Sequence, residues 1–216
     1  MSFRSDFDLS VYFVADPSVC AGRDLAHVVR EAVRGGVTMV QLRNKVDSID
    51  TVEHQARAVQ DILAGSGVPL IINDYVALAA KIGADGVHIG QDDVSAEHAR
   101  EMIGESAILG VTAFTRDHYN AIAEGVVDYV GTGPFNATLT KPDKPVLGAE
   151  GFSKLVAHAP VPVVGIGGIT PENAADVMCA GADGVAMMRS ISEADDIIAA
   201  AREFVLRVEE ARNVRS

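Results

Sequence analysis

The chain has 216 residues, 48% of them hydrophobic, 22% charged and only 5% aromatic, which describes one globular domain, residues 1–216, with a sizeable core. A formal charge of −12 argues against nucleic acid or an anionic membrane as the main partner. No apolar run approaches membrane-spanning length, and the acidic start, MSFRSDFDLS, has no signal-peptide core.

Cys20 and Cys179 stand far apart without metal-ligand spacing, so reduced thiols and a cytoplasmic location are the simplest expectation.

Leu9 to Ala15 reads as a first strand, followed by a helix from Arg23 to Arg34. Val37 to Leu42 is a second strand and Ser48 to Ala64 a second helix, with Asp47-Ser48 as its cap. Leu70 to Ile72, a helix over Val76 to Ile82 and the strand Val87 to Ile89 form a strand-helix-strand unit, with Gly83 as the helix C-cap. A helix over Ser95 to Ile103, the strand Ala107 to Val111, a helix over Arg116 to Glu124 and the strand Asp128 to Gly131 continue the alternation. Gly133 to Gly148 has three prolines and no periodicity, long for a connection and therefore expected to be a functional loop. Phe152 to Ala157, the strand Val161 to Ile166, a helix over Pro171 to Ala180 capped by Thr170, the strand Gly184 to Met188 and a helix over Glu193 to Val208 close the chain. Eight strands alternating with eight helices predict a (β/α)8 TIM barrel, with a doubly wound open sheet as the alternative. Gly-Ala-Asp-Gly-Val recurs at 83–87 and 181–185, which is more simply a Gly-capped helix entering a buried strand than the echo of a half-barrel duplication.

In a right-handed βαβ unit both strands point the same way, so residues after them share one rim. Asp74 and Asp93 therefore hang over the same edge, where two neighbouring carboxylates invite Mg²⁺ beside a phosphorylated substrate. An Asp after a strand is equally what caps the next helix, and that reading stays open. The same rim gathers Gln41, Arg43, Lys45, Asn73, Asp92, Thr112, Thr138, Thr140, Lys141, Gly167-Gly168, Arg189 and Ser190. Such cations, hydroxyls and acids suit a polyphosphate held with a metal. Arg43 and Lys45 alternate in an extended tail, though a basic pair is also ordinary solvated surface. Gly167-Gly168, beside the end of the last strand, lies where barrels bind phosphate monoesters. His88, mid-strand, reads as a packed core histidine, and no Ser-His-Asp or Cys-His arrangement is visible.

In these residues the chain resembles the thiamine phosphate synthase family. The resemblance is carried by Val40-Gln41-Leu42-Arg43-Asn44-Lys45, Ile72-Asn73-Asp74, Gly83 to Asp93, Gly110-Val111-Thr112, Gly131-Thr-Gly-Pro134, Thr138-Leu-Thr-Lys141 and Ile166-Gly-Gly-Ile169. It implies a transferase on the TIM barrel that joins an aminopyrimidine methyl pyrophosphate to a hydroxyethylthiazole phosphate. It further implies that Asp74 and Asp93 bind Mg²⁺. By the same likeness Gln41, Arg43, Lys45, Asn73, Thr112 and Lys141 hold the pyrimidine pyrophosphate. Thr138, Thr140, Gly168, Met188 and Arg189 surround the thiazole phosphate. Lys141, Thr112 and Arg43 carry the catalytic expectation, with the 133–148 loop closing as a lid. Three positions depart from the common pattern: Thr112 for Ser, Tyr75 for Arg, and Arg189 for Ser. A thiazole tautomerase relative and a non-catalytic phosphate-ligand sensor are the alternatives on the same barrel. The expected partners are small phosphorylated substrates, with no nucleic acid and no membrane, and a homo-oligomer stays open.

Overall fold

A computed structural model describes residues 4, 6–138 and 145–215. Eight short parallel strands, β1 (Val11–Ala15), β2 (Met39–Leu42), β3 (Leu70–Asn73), β4 (Gly86–Ile89), β5 (Ile108–Thr112), β6 (Tyr129–Thr132), β7 (Val163–Ile166) and β8 (Gly184–Met187), pair in chain order and close, β8 onto β1. The period-two alternation of each strand divides its side chains between two cores. Tyr12, Val14, Met39, Ile71, Ile108, Tyr129, Val164 and Ala186 fill the barrel interior. Phe13, Val40, Ile72, Val87, Leu109, Val130, Val163 and Val185 face outward against the helices. Both sets are buried, which is why the strands read as apolar runs rather than alternating ones.

The surrounding helices are α1 (Leu25–Arg34), α2 (Ile49–Leu63), α3 (Val76–Ile82), α4 (Ala96–Ile103), α5 (Arg116–Asn120), α6 (Gly148–Val156), α7 (Pro171–Cys179), α8 (Arg189–Ser192) and α9 (Ile197–Arg215). Side-chain caps start several of them: Asp24 accepts from His27 N, Ser48 from Thr51 N and Ser95 from His98 N. Gly83 ends α3 in the left-handed conformation at φ 63°, as its sequence position predicts. Among the described residues, no helix is long and apolar enough to cross a membrane.

Several boundaries differ from the sequence reading. The last helix does not begin at Glu193. A four-residue turn of helix, α8, directly follows β8, and Asp196 then caps α9 by accepting from Ala199 N at 2.9 Å. Strand β7 begins at Val163 rather than Val161, after the proline. Helix α5 stops at Asn120, and β3 extends to Asn73.

At the amino ends of the strands a side chain before each even-numbered strand accepts from an N–H of the preceding odd one. Thr38 Oγ1 takes Val11 N at 3.0 Å, Asp85 takes Leu70 N at 2.8 Å, Asp128 takes Leu109 N at 2.7 Å and Asp183 takes Val163 N at 2.7 Å. Asp85 and Asp183 are the acids of the two Gly-Ala-Asp-Gly-Val words. Asp128 also pairs with Arg100, whose Nη2 lies 2.6 Å from it and which is only 5% exposed. Arg100 donates further to the carbonyls of Gly104, Ala107 and Val126, so its buried charge is fully surrounded by acceptors.

Candidate active site

The carboxyl ends of the strands surround a cavity of about 390 Å³. Its lining includes Gln41, Arg43, Asn73, Thr112, Thr138, Gly168, Met188 and Arg189, eight residues expected at the site from sequence. Lys45, Asp74 and Asp93, which follow the carboxyl ends of β2, β3 and β4, are not part of that lining. Thr140 and Lys141, together with the middle of the expected lid, fall on residues 139–144, outside those described.

Asp74 is not a helix cap. The N-cap of α3 is Tyr75, which makes no side-chain capping bond, and Asp74 itself sits at φ 63°. A non-glycine residue in the left-handed region is uncommon and strained. Asp74 N donates to His88 O at 2.9 Å, which ties this corner to β4. Asp93 likewise leaves the capping of α4 to Ser95 and accepts instead from Gly90 N at 2.7 Å. Partial removal from water raises the Asp93 carboxyl above its usual range, against the pull of the Gly90 N–H; the negative charge of Asp74 and a hydrogen bond shared with it push the same way. Lys45 Nζ reaches Asp74 Oδ2 at 2.8 Å. Two carboxylates held together at the cost of their own repulsion, with one exposed ammonium between them and solvent, are suited to a hard divalent cation. Among the described residues no cluster of three or more His, Cys, Asp or Glu could hold a metal, so such an ion would take its remaining ligands from water or phosphate oxygens, as Mg²⁺ does.

Arg43 follows β2 and pairs through Nη1 with Asp16, which follows β1 and is only 3% exposed. Asp16 is fixed in turn by Ser18, whose N and Oγ reach Oδ1 at 2.9 and 2.6 Å. A buried carboxylate thus aims the Arg43 guanidinium over the cavity. The sequence reading left Asp16 out. An Asp-Pro after a first strand looks like turn chemistry, and its partner lies 27 positions away.

Three buried polar side-chain atoms have no hydrogen-bond partner among the described residues: Asn73 Nδ2, Arg189 Nε and Ser192 Oγ. Such groups are nearly always satisfied, and Asn73 and Arg189 both belong to the cavity lining, on different sides of it, which points to a ligand there that supplies acceptors. Arg189 also pairs through Nη1 with Glu193, one turn along. Gly168 sits at φ 63°, where a Cβ would come within 2.4 Å of Ala137 O. Asn173 Nδ2 holds its carbonyl at 2.9 Å. The loops after β7 and β8 and the short α8 occupy the corner where barrels of this class frequently bind a phosphate group.

His88 is corrected from a packed core residue to a cavity-lining one. Its ring faces inward, with Nδ1 3.0 Å from Tyr129 Oη and Nε2 3.0 Å from Thr112 Oγ1. Gln91 Nε2 donates to the Thr112 carbonyl, a second tie on the same residue.

A family profile described as thiamine monophosphate synthase matches residues 11–191. The chain belongs to that family. It is 45% identical over 207 residues to a thiamine-phosphate synthase of Azorhizobium caulinodans, covering 95% of this chain and 98% of the relative. It is 42% identical over 206 residues to one of Chloroflexus aurantiacus, covering 94% of each. A solved thiamine phosphate pyrophosphorylase from Pyrococcus furiosus superposes with a TM-score of 0.85 at 30% identity, covering 94% of this chain and 96% of that one. The fold and the family expected from sequence are thereby established.

Proposed function

We propose that this chain is a thiamine-phosphate synthase, a transferase that joins the aminopyrimidine methyl pyrophosphate to the hydroxyethylthiazole phosphate, giving thiamine phosphate and pyrophosphate. The observation that carries this reading is the placement of acids, bases and orphan donors around one cavity. Asp74, Asp93 and Lys45 stand on one side, Arg43 and Asn73 beside them, and Gly168 with Arg189 on the β7–β8 wall.

In the proposed reaction the C–O bond between the pyrimidine methylene and the diphosphate breaks, and its electron pair leaves on oxygen. Arg43, Lys45 and the Asn73 amide lie where they stabilise the departing charge, and they are fixed before the reaction begins. Asp74 and Asp93 would hold a Mg²⁺ ion, which would supply further positive charge for the departing diphosphate. The electron-rich amino ring stabilises the methylene cation, and the thiazole nitrogen supplies the lone pair of the new C–N bond. Gly168 and the Arg189 guanidinium hold the thiazole phosphate so that its ring faces that carbon, a positioning effect. Nothing is oxidised or reduced in this exchange. We assign the work to a reducing compartment such as the cytoplasm, since Cys20 and Cys179 are both free thiols.

Incubation with both phosphorylated substrates, with and without Mg²⁺, tests the proposal. Equal amounts of thiamine phosphate and pyrophosphate, formed only with Mg²⁺, are expected. Binding of both substrates without pyrophosphate release would overturn it in favour of a sensor. Isomerisation of the thiazole without joining would overturn it in favour of a tautomerase.

A further inference from the structure

Along the cavity wall, five side chains form one continuous hydrogen-bonded line, and all but Tyr129 line the cavity itself. Gln41 Nε2 donates to Tyr12 Oη at 2.7 Å, and Tyr12 Oη lies 2.7 Å from Tyr129 Oη. Tyr129 Oη lies 3.0 Å from His88 Nδ1, and His88 Nε2 lies 3.0 Å from Thr112 Oγ1. The line begins and ends on residues of the substrate site and passes through three that have no role in it so far. Strand register makes it possible. His88, Gly110 and Tyr129 are successive partners across β4, β5 and β6. Gly110 contributes no side chain, and a Cβ there would lie 2.1 Å from Tyr129 Cζ. The missing side chain lets the Tyr129 phenol reach under β5 to the imidazole.

The direction of the line follows from counting protons. Both phenols are fully buried, and burial raises their pKa above the ordinary value, so each keeps its hydrogen. Gln41 gives a hydrogen to Tyr12, so the Tyr12 hydrogen must go to Tyr129. Tyr129 then gives its own to His88 Nδ1. A neutral imidazole that accepts at Nδ1 carries its hydrogen at Nε2 and donates it to Thr112 Oγ1. In the opposite direction Tyr12 would receive from both neighbours, and its own buried hydrogen would be stranded, a loss larger than any bond gained. Thr112, having accepted, directs its hydroxyl hydrogen elsewhere, and its side chain lines the cavity.

We propose that Tyr12, Tyr129 and His88 are positioning residues, a one-way hydrogen-bond relay that holds His88 as its Nε2–H tautomer and presents the Thr112 hydroxyl to the substrate as a donor. The ligand assignment rests on the proposed function; the relay itself does not. The geometry excludes the simpler view that Tyr129 is only packing. It belongs to the interior core by burial, yet its hydroxyl completes a chain between two cavity residues. Tyr129 does not itself line the cavity, so removing its hydroxyl deletes no substrate contact.

Nitrogen-15 NMR of the wild-type imidazoles tests the direction without any variant. His88 is expected to carry its hydrogen on Nε2; a hydrogen on Nδ1 would mean that the Gln41 amide and every later bond run the other way, and overturns the proposal. Tyr129→Phe is expected to mix the His88 tautomers and to raise KM for the pyrimidine pyrophosphate about tenfold, the worth of one oriented hydrogen bond, with KM for the thiazole phosphate unmoved. In a Thr112→Val background the same change is expected to add less than about twofold, because the relay acts through Thr112. Equal losses in both backgrounds, or a shift in both KM values together, would overturn it as a purely structural effect. If the wild-type protein releases no pyrophosphate, the functional reading fails, while the tautomer measurement still decides the relay.

Discussion

Asp74→Gly separates the strain at the rim from its chemistry. Asp74 occupies φ 63°, and a glycine there removes a left-handed penalty of about 1 kcal/mol. Glycine also adds unfolded-chain entropy worth about 0.5–1 kcal/mol in the opposite sense. The lost pairing with Lys45, at 2.8 Å but with the lysine 52% exposed, is discounted for solvent to about 0–1 kcal/mol. Relief of the repulsion with Asp93 returns a similar small amount. These contributions leave the apoprotein within about 1 kcal/mol of the parent, hence within about 4 °C in Tm for a chain of this size. Turnover, by contrast, loses a charge placed where the leaving group must be stabilised, and is expected to fall at least a hundredfold, about the loss known for removing even an outer-shell partner of a metal site. Thermal unfolding without metal, set beside pyrophosphate release across a Mg²⁺ titration, measures both. A variant that keeps more than about a tenth of the activity refutes the assignment of Asp74. A fall in Tm of more than about 8 °C refutes the claim that the residue is strained for function rather than needed for folding.

Asp16→Asn keeps the shape of the buried partner of Arg43 but removes its charge, so the guanidinium loses its aim; KM for the pyrimidine pyrophosphate is expected to rise about tenfold, and an unchanged value in steady-state assays counts against the positioning role. Arg100→Met removes one of the two arginines on Asp128, which keeps Arg4 Nε at 2.8 Å, and strands the buried carbonyls that Arg100 served; the loss of about 1–3 kcal/mol lowers Tm by roughly 2–12 °C in calorimetry, while turnover at 20 °C stays at the parental level. For Asp93 the folded-state pKa is raised above the unfolded value. Its protonated form therefore contributes stability that is full below the unfolded pKa and is lost as pH rises through the raised folded one. Apoprotein Tm, measured with a chelator present, is expected to fall as pH rises through that window in the parent, and Asp93→Asn is expected to flatten the profile there.

The alternation of strands and helices was legible because each strand is buried on both faces and so forms a continuous apolar run, and because Ser48, Ser95 and Gly83 mark helix ends with residues that have a local reason to be there. The rim was legible for the same reason: strand ends locate Gln41, Arg43, Asn73 and Thr112 whatever their partners. What the sequence hid depends on partners far along the chain. Arg43 finds Asp16 across two strands. His88 looks like core until its register with Gly110 and Tyr129 is known, since a glycine on the intervening strand decides whether the ring meets a phenol or a side chain. Whether Asp74 caps a helix or faces a cation turned on one backbone angle, which no spacing rule reveals. The α8 turn was too short to show a period of its own.

Tyr12, Tyr129, Met39, Ile71 and Ile108 are almost wholly buried, and the Phe7 ring packs tilted against Tyr129 at a centroid separation of 6.1 Å. Among the described residues the amino end of the cylinder is therefore stoppered by its own core, and the cavity lies at the opposite, carboxyl end. The aromatic plug that serves as part of the core thus also settles which end of the barrel can receive a visitor.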